Sequence, residues 1–182
     1  MGERGETLII VIVIVLGAII LFIFPLMAMS DRNDDITQSV VETSVSEFVN
    51  DVRTTGILTM DKYNKLVEEL SATGNVYNVE MELRVLDENP GKKTTQAEST
   101  KVGENVYVVY YNSQVMDLLN PSSGVTQAVA LKEGDFFYTK ATIDSTTIAD
   151  QLKSFLYAVS GSDVYSIAAE DGGIVTVNGS GN

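Results

Sequence analysis

Residues 8–29 read LIIVIVIVLGAIILFIFPLMAM, a run of twenty-two residues without one charged side chain. As a helix, a run of this length rises about 33 Å and covers the roughly 30 Å hydrocarbon core of a bilayer. It is too long and too uniformly apolar for a surface helix, which keeps one polar face. The run therefore predicts a transmembrane helix over residues 8–29, with the lipid bilayer as its partner.

The flanks of this run predict that the helix is retained and how it is oriented. A secretory signal peptide has an apolar stretch of about 7–15 residues and a small-residue cleavage site. Here the stretch is longer, and its end, Phe24–Met29, is a poor cleavage site. Because basic residues favour the cytoplasmic side, Arg4 predicts that residues 1–7 form a cytoplasmic stub or leader. Residues 30–177 then form an extracytoplasmic domain of the cell membrane protein, and residues 178–182 a flexible tail.

Composition narrows the function classes. The chain has 182 residues and a formal net charge of −13, and an acidic chain lacks the basic footprint that nucleic acid binding needs. It contains no cysteine and no histidine, which removes thiolate ligands and the commonest general base and metal ligand. We therefore expect no enzyme activity, no cofactor and no metal site.

The apolar pattern after the membrane run predicts that the same helix continues. Apolar residues recur at three- and four-residue spacing, and acidic residues occupy the other faces; the apolar set is Ile36, Val40, Val41, Val45, Phe48, Val49 and Val52. Apart from Pro25, no glycine or proline separates this stripe from the apolar run, so we expect one helix over residues 7–54, kinked near Pro25. Thr54-Thr55-Gly56 ends it.

The remainder predicts an α+β head with an antiparallel sheet. Thr59 caps a short helix that carries Tyr63, Leu66, Val67 and Leu70. Alternation predicts a strand over residues 76–85, followed by a turn at 87–91 and a polar loop at 92–104. Further predicted elements are strands at 106–111, 125–131 and 136–143, one or two helical turns at 113–119, a helix capped by Ser145 or Thr146, and a hairpin of residues 164–169 and 174–177 around Glu170–Gly173.

The chain enters the apolar run through Arg4, Gly5, Glu6 and Thr7, and the run opens with Leu8 and Ile9. This start resembles a type IV pilin, because Arg4 and Gly5 are similar to the end of a pilin leader and the four residues after them to the start of the mature chain. The similarity covers residues 4–54 and includes the helix-breaking Pro25. The layout of short stub, one helix and outer head also resembles the Tad-type pilus proteins.

This resemblance implies a fold, a processing site and partners. The fold is α+β, with a long amino-terminal helix, transmembrane and then amphipathic, packed on an antiparallel sheet. A prepilin peptidase would cleave after Gly5, and the subunit would form homo- or hetero-oligomers with pilin-like chains. The glutamate that pilins carry in this helix falls on Ile10 here, so a plain membrane anchor stays open as the alternative.

Two acidic patterns are rejected as sites. Asp31, Asn33 and Asp35 with Glu42 follow the spacing of a calcium-binding EF-hand loop, but Ile36 stands where that loop needs glycine. Glu80 and Glu82 imitate a pair of catalytic carboxylates, yet they alternate along a strand and are expected to be solvated.

The sequence thus predicts a structural or accessory subunit of a type IV or Tad-like surface filament or export apparatus, anchored in the membrane before assembly. The alternative is a single-pass, membrane-tethered extracytoplasmic module that binds or senses a partner.

Overall fold

The computed structural model describes residues 3–87, 106–121, 128–144, 154 and 166–180. The chain divides into two compact units, Met1–Thr37 with Thr147–Val164, and Gln38–Thr146 with Tyr165–Asn182. The elements, in chain order, are α1 (Glu3–Thr55), β1 (Ile57–Leu58), α2 (Met60–Ser71), β2 (Tyr77–Asp87), β3 (Val106–Tyr110), α3 (Asn112–Leu119), β4 (Val129–Ala130), β5 (Phe136–Ile143) and β6 (Ala168–Ile174). This mixture of helices with antiparallel strands confirms the α+β class.

Helix α1 confirms the predicted continuation of the apolar run. It passes through Pro25 without interruption and ends where Gly56 adopts a φ of 65°. The amide of Gly56 donates to the carbonyl of Val52 at 2.9 Å and closes the last turn. In the second unit α1 buries one stripe, at the three- and four-residue spacing that the sequence predicts; its buried apolar members are Val41, Val45, Phe48, Val49 and Val52.

Helix α2 begins and packs as predicted. The Thr59 side chain accepts a hydrogen bond from the amide of Lys62 at 3.3 Å, which satisfies one of the free donors at the helix start. Leu66 and Leu70 are buried on its inner face, and Tyr63 and Val67 pack against the core beside them.

Four strands form the main sheet in the order β3-β2-β5-β6, and every neighbouring pair is antiparallel. The strands at 76–85, 106–111 and 136–143 are thus confirmed within one or two residues. Alternate residues of β2 and β5 face the core, where Phe137 meets Phe48 of α1 edge to face, with ring centroids 5.6 Å apart. Strands β1 and β4 form a separate two-stranded sheet, so the predicted strand at 125–131 is shorter than expected in the described part.

The predicted hairpin around Glu170–Gly173 is wrong, because these residues lie inside strand β6. Gly172 and Gly173 resemble a turn in sequence, yet they serve close packing. A Cβ on Gly173 would lie 2.5 Å from Cζ of Arg53, and one on Gly172 would lie 3.1 Å from Cδ2 of Tyr138. Glycine in a strand often marks such a close approach.

The remaining predicted elements concern the loops and the carboxy-terminal tail. Residues 88–91 of the predicted turn and the loop at 92–104 lie outside the described residues, and Asp87 belongs to β2. Of the predicted helix after Ser145 only Ser154 is described, and it is helical. Asn178 and Gly179, at the start of the expected tail, bond to the loop before β5: the amide of Glu133 donates to Asn178 Oδ1 at 2.9 Å, and the amide of Gly179 to the carbonyl of Leu131 at 2.8 Å.

Candidate functional site

The first candidate surface is the apolar part of α1. All nine side chains from Leu8 to Leu16 are between 52% and 64% exposed. Nine residues make two and a half helical turns, so the apolar surface surrounds the helix on every side. A contiguous exposed apolar surface of this kind marks contact with a partner or a membrane.

No helix among the described residues is both long enough and apolar enough to cross a membrane.

The predicted processing residues all lie in the first turns of α1. Arg4, Gly5, Glu6 and Thr7 follow the helix start at Glu3, and Leu8 and Ile9 begin the exposed apolar surface. A Cβ added to Gly5 would meet no atom within 4 Å. The bond after Gly5 is therefore sterically open, but a protease that reads an extended chain must first unwind this turn. Pro25 lies within α1, and the helix continues beyond it.

The second candidate surface is the outer face of the main sheet. Cross-strand register places Glu82 of β2 opposite Tyr138 of β5, and Lys140 of β5 between Glu80 of β2 and Glu170 of β6. Arg84 Nε forms an ion pair with Glu82 Oε1 at 2.5 Å. The face therefore carries more carboxylates than cations, and its charges are exposed or half-buried, as predicted for Glu80 and Glu82.

Tyr138 is one of the strand aromatics in the sequence, and on this face its hydroxyl contacts an acidic side chain. Its hydroxyl donates a hydrogen bond of 2.7 Å to Glu170 Oε2. Partial burial, this hydrogen bond, and the negative charges of Glu170, Glu82 and Glu80 together raise the pKa of Tyr138 to about 12. The alternation of β5 is enough to place Tyr138 on the outer face. Its hydrogen-bond partner Glu170 lies on β6, however, and no local sequence pattern shows that β5 pairs with β6.

A shallow hollow of about 300 Å³ opens beside Tyr138. Residues from β2, from β5 and from the start of α3 line it: Glu80, Met81, Glu82, Tyr111, Asn112, Ser113 and Tyr138. Asn112 Oδ1 accepts from the amide of Met81 at 3.2 Å and ties α3 to the sheet, while Tyr111 is 62% exposed. Two tyrosines and two carboxylates can receive a cationic or hydrogen-bonding group.

Neither surface contains a metal centre in the described part of the chain. There, no group of three or more acidic, histidine or cysteine side chains is arranged to hold a metal ion. The rejected calcium loop at Asp31–Glu42 lies within helix α1, which cannot provide the sharp turn of an EF-hand.

No family model, no curated protein and no solved structure matches this chain. The two surfaces must therefore be interpreted from their own residues.

Proposed function

We propose that the chain is a structural or accessory subunit of a type IV or Tad-like surface filament or export apparatus. Residues 8–29 hold it in the membrane before assembly, and the α+β head lies outside the cell. The role is mechanical and involves no catalysis. One observation carries the proposal: Leu8–Leu16 are exposed on all sides of a helix that continues into the core of the head as α1.

The physical argument concerns what such a surface requires. Burying a large aliphatic side chain is worth about 1.5–3 kcal/mol, so nine exposed ones favour any apolar environment strongly. An environment that surrounds the helix is either lipid or several neighbouring helices. A subunit that moves from a membrane into a filament meets both in turn.

The amino-terminal mass tests this proposal. If a peptidase processes the chain as in pilins, the mature protein begins at Glu6. The variant Gly5→Leu should then remain uncleaved, whereas Gly17→Leu should be cleaved normally. Both glycines lie in α1, and an added Cβ would meet no atom within 4 Å at either position, so the two variants are a matched pair. An intact amino terminus on the wild-type chain would contradict pilin-like processing.

A tethered binding or sensing module is the second candidate, and the hollow beside Tyr138 favours it. In that role α1 only anchors the chain, and Glu80, Glu82 and the two tyrosines contact the partner. The composition of surface filaments separates the two functions. Sheared filaments that contain the chain, and that persist in the variant Glu80→Gln with Glu82→Gln, would contradict the tethered module.

A further inference from the structure

Within the part of the chain that the structure describes, the two edges of the main sheet differ in whether their backbone groups have partners. Strands β3 and β6 are the edge strands. An edge strand presents unpaired backbone groups that can pair with another chain unless they are covered.

The β6 edge is covered by side chains of α1 and β6. The Gln38 amide brackets Ala168, donating from Nε2 to its carbonyl at 2.7 Å and accepting from its amide at 3.2 Å. Arg53 Nε donates to the carbonyl of Ile174 at 2.9 Å. The amide of Gly172 donates to Asp171 Oδ1 at 2.7 Å. Backbone groups at three positions of this edge are therefore satisfied within the chain.

The outward groups of β3 follow from the alternation of an antiparallel sheet. The backbone N–H and C=O of Ala168 bond to Gln38 and therefore point away from β5. Ala168 and its partner Thr142 thus form a pair without hydrogen bonds, and the N–H and C=O of Thr142 point toward β2. The same alternation along β2 means that Val85 and its partner Val108 exchange backbone hydrogen bonds. The backbone N–H and C=O groups of Tyr107 and Val109, on either side of Val108, therefore point away from β2, toward the free edge of the sheet. Among the described residues, no strand or side chain accepts or donates there.

We propose that β3 pairs with β3 of a second copy of this chain, antiparallel about a two-fold axis at Val108. In this register Tyr107 lies opposite Val109 of the other copy, and their outward N–H and C=O groups form reciprocal hydrogen bonds in both halves. Val108 lies opposite itself in a pair without hydrogen bonds, the closer of the two pair types.

The sequence of β3 favours a second copy as the occupant. It reads Val-Tyr-Val-Val-Tyr over Val106–Tyr110, so pairing places aromatic against β-branched side chains, a favourable combination. The chain carries a net charge of −13, yet β3 brings no charge opposite a like charge. A two-fold contact uses the same strand twice and closes, so it produces a dimer without open-ended growth. This pairing does not rest on the proposed filament role.

Crosslinking of the full chain tests the register. Because the chain has no cysteine, Val108→Cys introduces a single thiol. Facing Cα atoms in a pair of this type lie about 4.5 Å apart, within the range of a disulfide. Mild oxidation in detergent micelles should convert this variant to a covalent dimer, whereas Glu170→Cys, on the covered β6 edge, should remain monomeric. Equal crosslinking of both variants, or none in Val108→Cys, would overturn the proposal.

Light scattering of the full chain in the same micelles tests the pairing without a thiol. The wild-type chain should have the mass of a dimer, and Val109→Lys should halve it, because an edge lysine blocks strand addition. Asn78→Lys adds the same charge at an exposed position of the central strand β2 and should keep the dimer. A wild-type monomer would overturn the pairing and leave the edge for a strand of another protein. A dimer that survives Val109→Lys would assign self-association to another surface such as α1.

Discussion

Gly56 and Gly179 lie so close together that neither can carry a side chain. A Cβ on Gly56 would lie 2.5 Å from the amide nitrogen of Gly179, and a Cβ on Gly179 would overlap the carbonyl of Gly56. The contact fixes residues after β6 against the end of α1. It is reinforced by the amide of Thr176, which donates to the carbonyl of Arg53 at 3.1 Å.

This contact predicts that Gly56→Ala is much more destabilising than Gly74→Ala. Both glycines have positive φ, 65° and 85°, but a Cβ on Gly74 meets nothing within 4 Å. Gly74→Ala should therefore cost only the conformational penalty of about 1–2 kcal/mol. Gly56→Ala must also displace backbone, and we expect about 3 kcal/mol or more in the free energy of unfolding. Urea unfolding followed by circular dichroism measures both; equal costs would show that the contact with Gly179 yields easily.

Replacing the buried carboxylate of Asp135 should also lower the stability of the fold. Asp135 is only 2% exposed, and its two carboxylate oxygens accept from the amides of Leu86 and Lys132, both at 2.8 Å. Asp135→Asn turns an NH₂ group toward one of these donors and leaves that amide unsatisfied, which should cost about 1–3 kcal/mol. Glu133→Gln, which removes the same charge from an exposed position nearby, should change the stability by less than about 0.5 kcal/mol. Equal effects of the two variants in urea unfolding would contradict this role.

Removing the buried hydroxyl of Thr139 should raise the stability of the fold. The Thr139 side chain is fully buried, and among the described residues its hydroxyl has no hydrogen-bond partner. Thr139→Val keeps the shape and removes the desolvated hydroxyl, so the free energy of unfolding should rise by about 1 kcal/mol. Thr142→Val, at a half-buried position of the same strand, is the control and should change little. A destabilised Thr139→Val would mean that the hydroxyl has a partner in solution.

The raised pKa of Tyr138 leads us to expect a loss of stability at high pH. Burial and its hydrogen bond to Glu170 raise its pKa from 10.0 to about 12, so the folded state favours the neutral phenol. This contribution is complete below pH 10 and is lost as the pH rises from about 10 to about 12, because the unfolded chain releases the proton first. An absorbance titration of tyrosinate should show a late step that disappears in Tyr138→Phe and moves to lower pH in Glu170→Gln. An unchanged late step in Tyr138→Phe would assign it to another tyrosine.

The sequence predicts those elements whose pattern is local. The stripe of α1 and the alternation of β2 repeat at fixed periods, and Thr59 marks the start of α2, so each could be placed without knowing its neighbours. The sequence misplaces β6 because Gly172 and Gly173 look like turn residues, whereas their place in the sheet depends on pairing with Tyr138 and Phe137 of β5, which are distant in the chain. The hollow beside Tyr138 and the covered β6 edge depend on strand order for the same reason.

The most direct test of the central claim is the accessibility of residue 14 in intact cells. Since the chain has no cysteine, Ile14→Cys and Ser39→Cys each carry one thiol, the first in the apolar segment and the second at an exposed position of α1 in the head. With a maleimide that cannot cross membranes, the account predicts labelling of Ser39→Cys at once and of Ile14→Cys only after detergent is added. Equally rapid labelling of both in intact cells, or protection of Ser39→Cys, would contradict it.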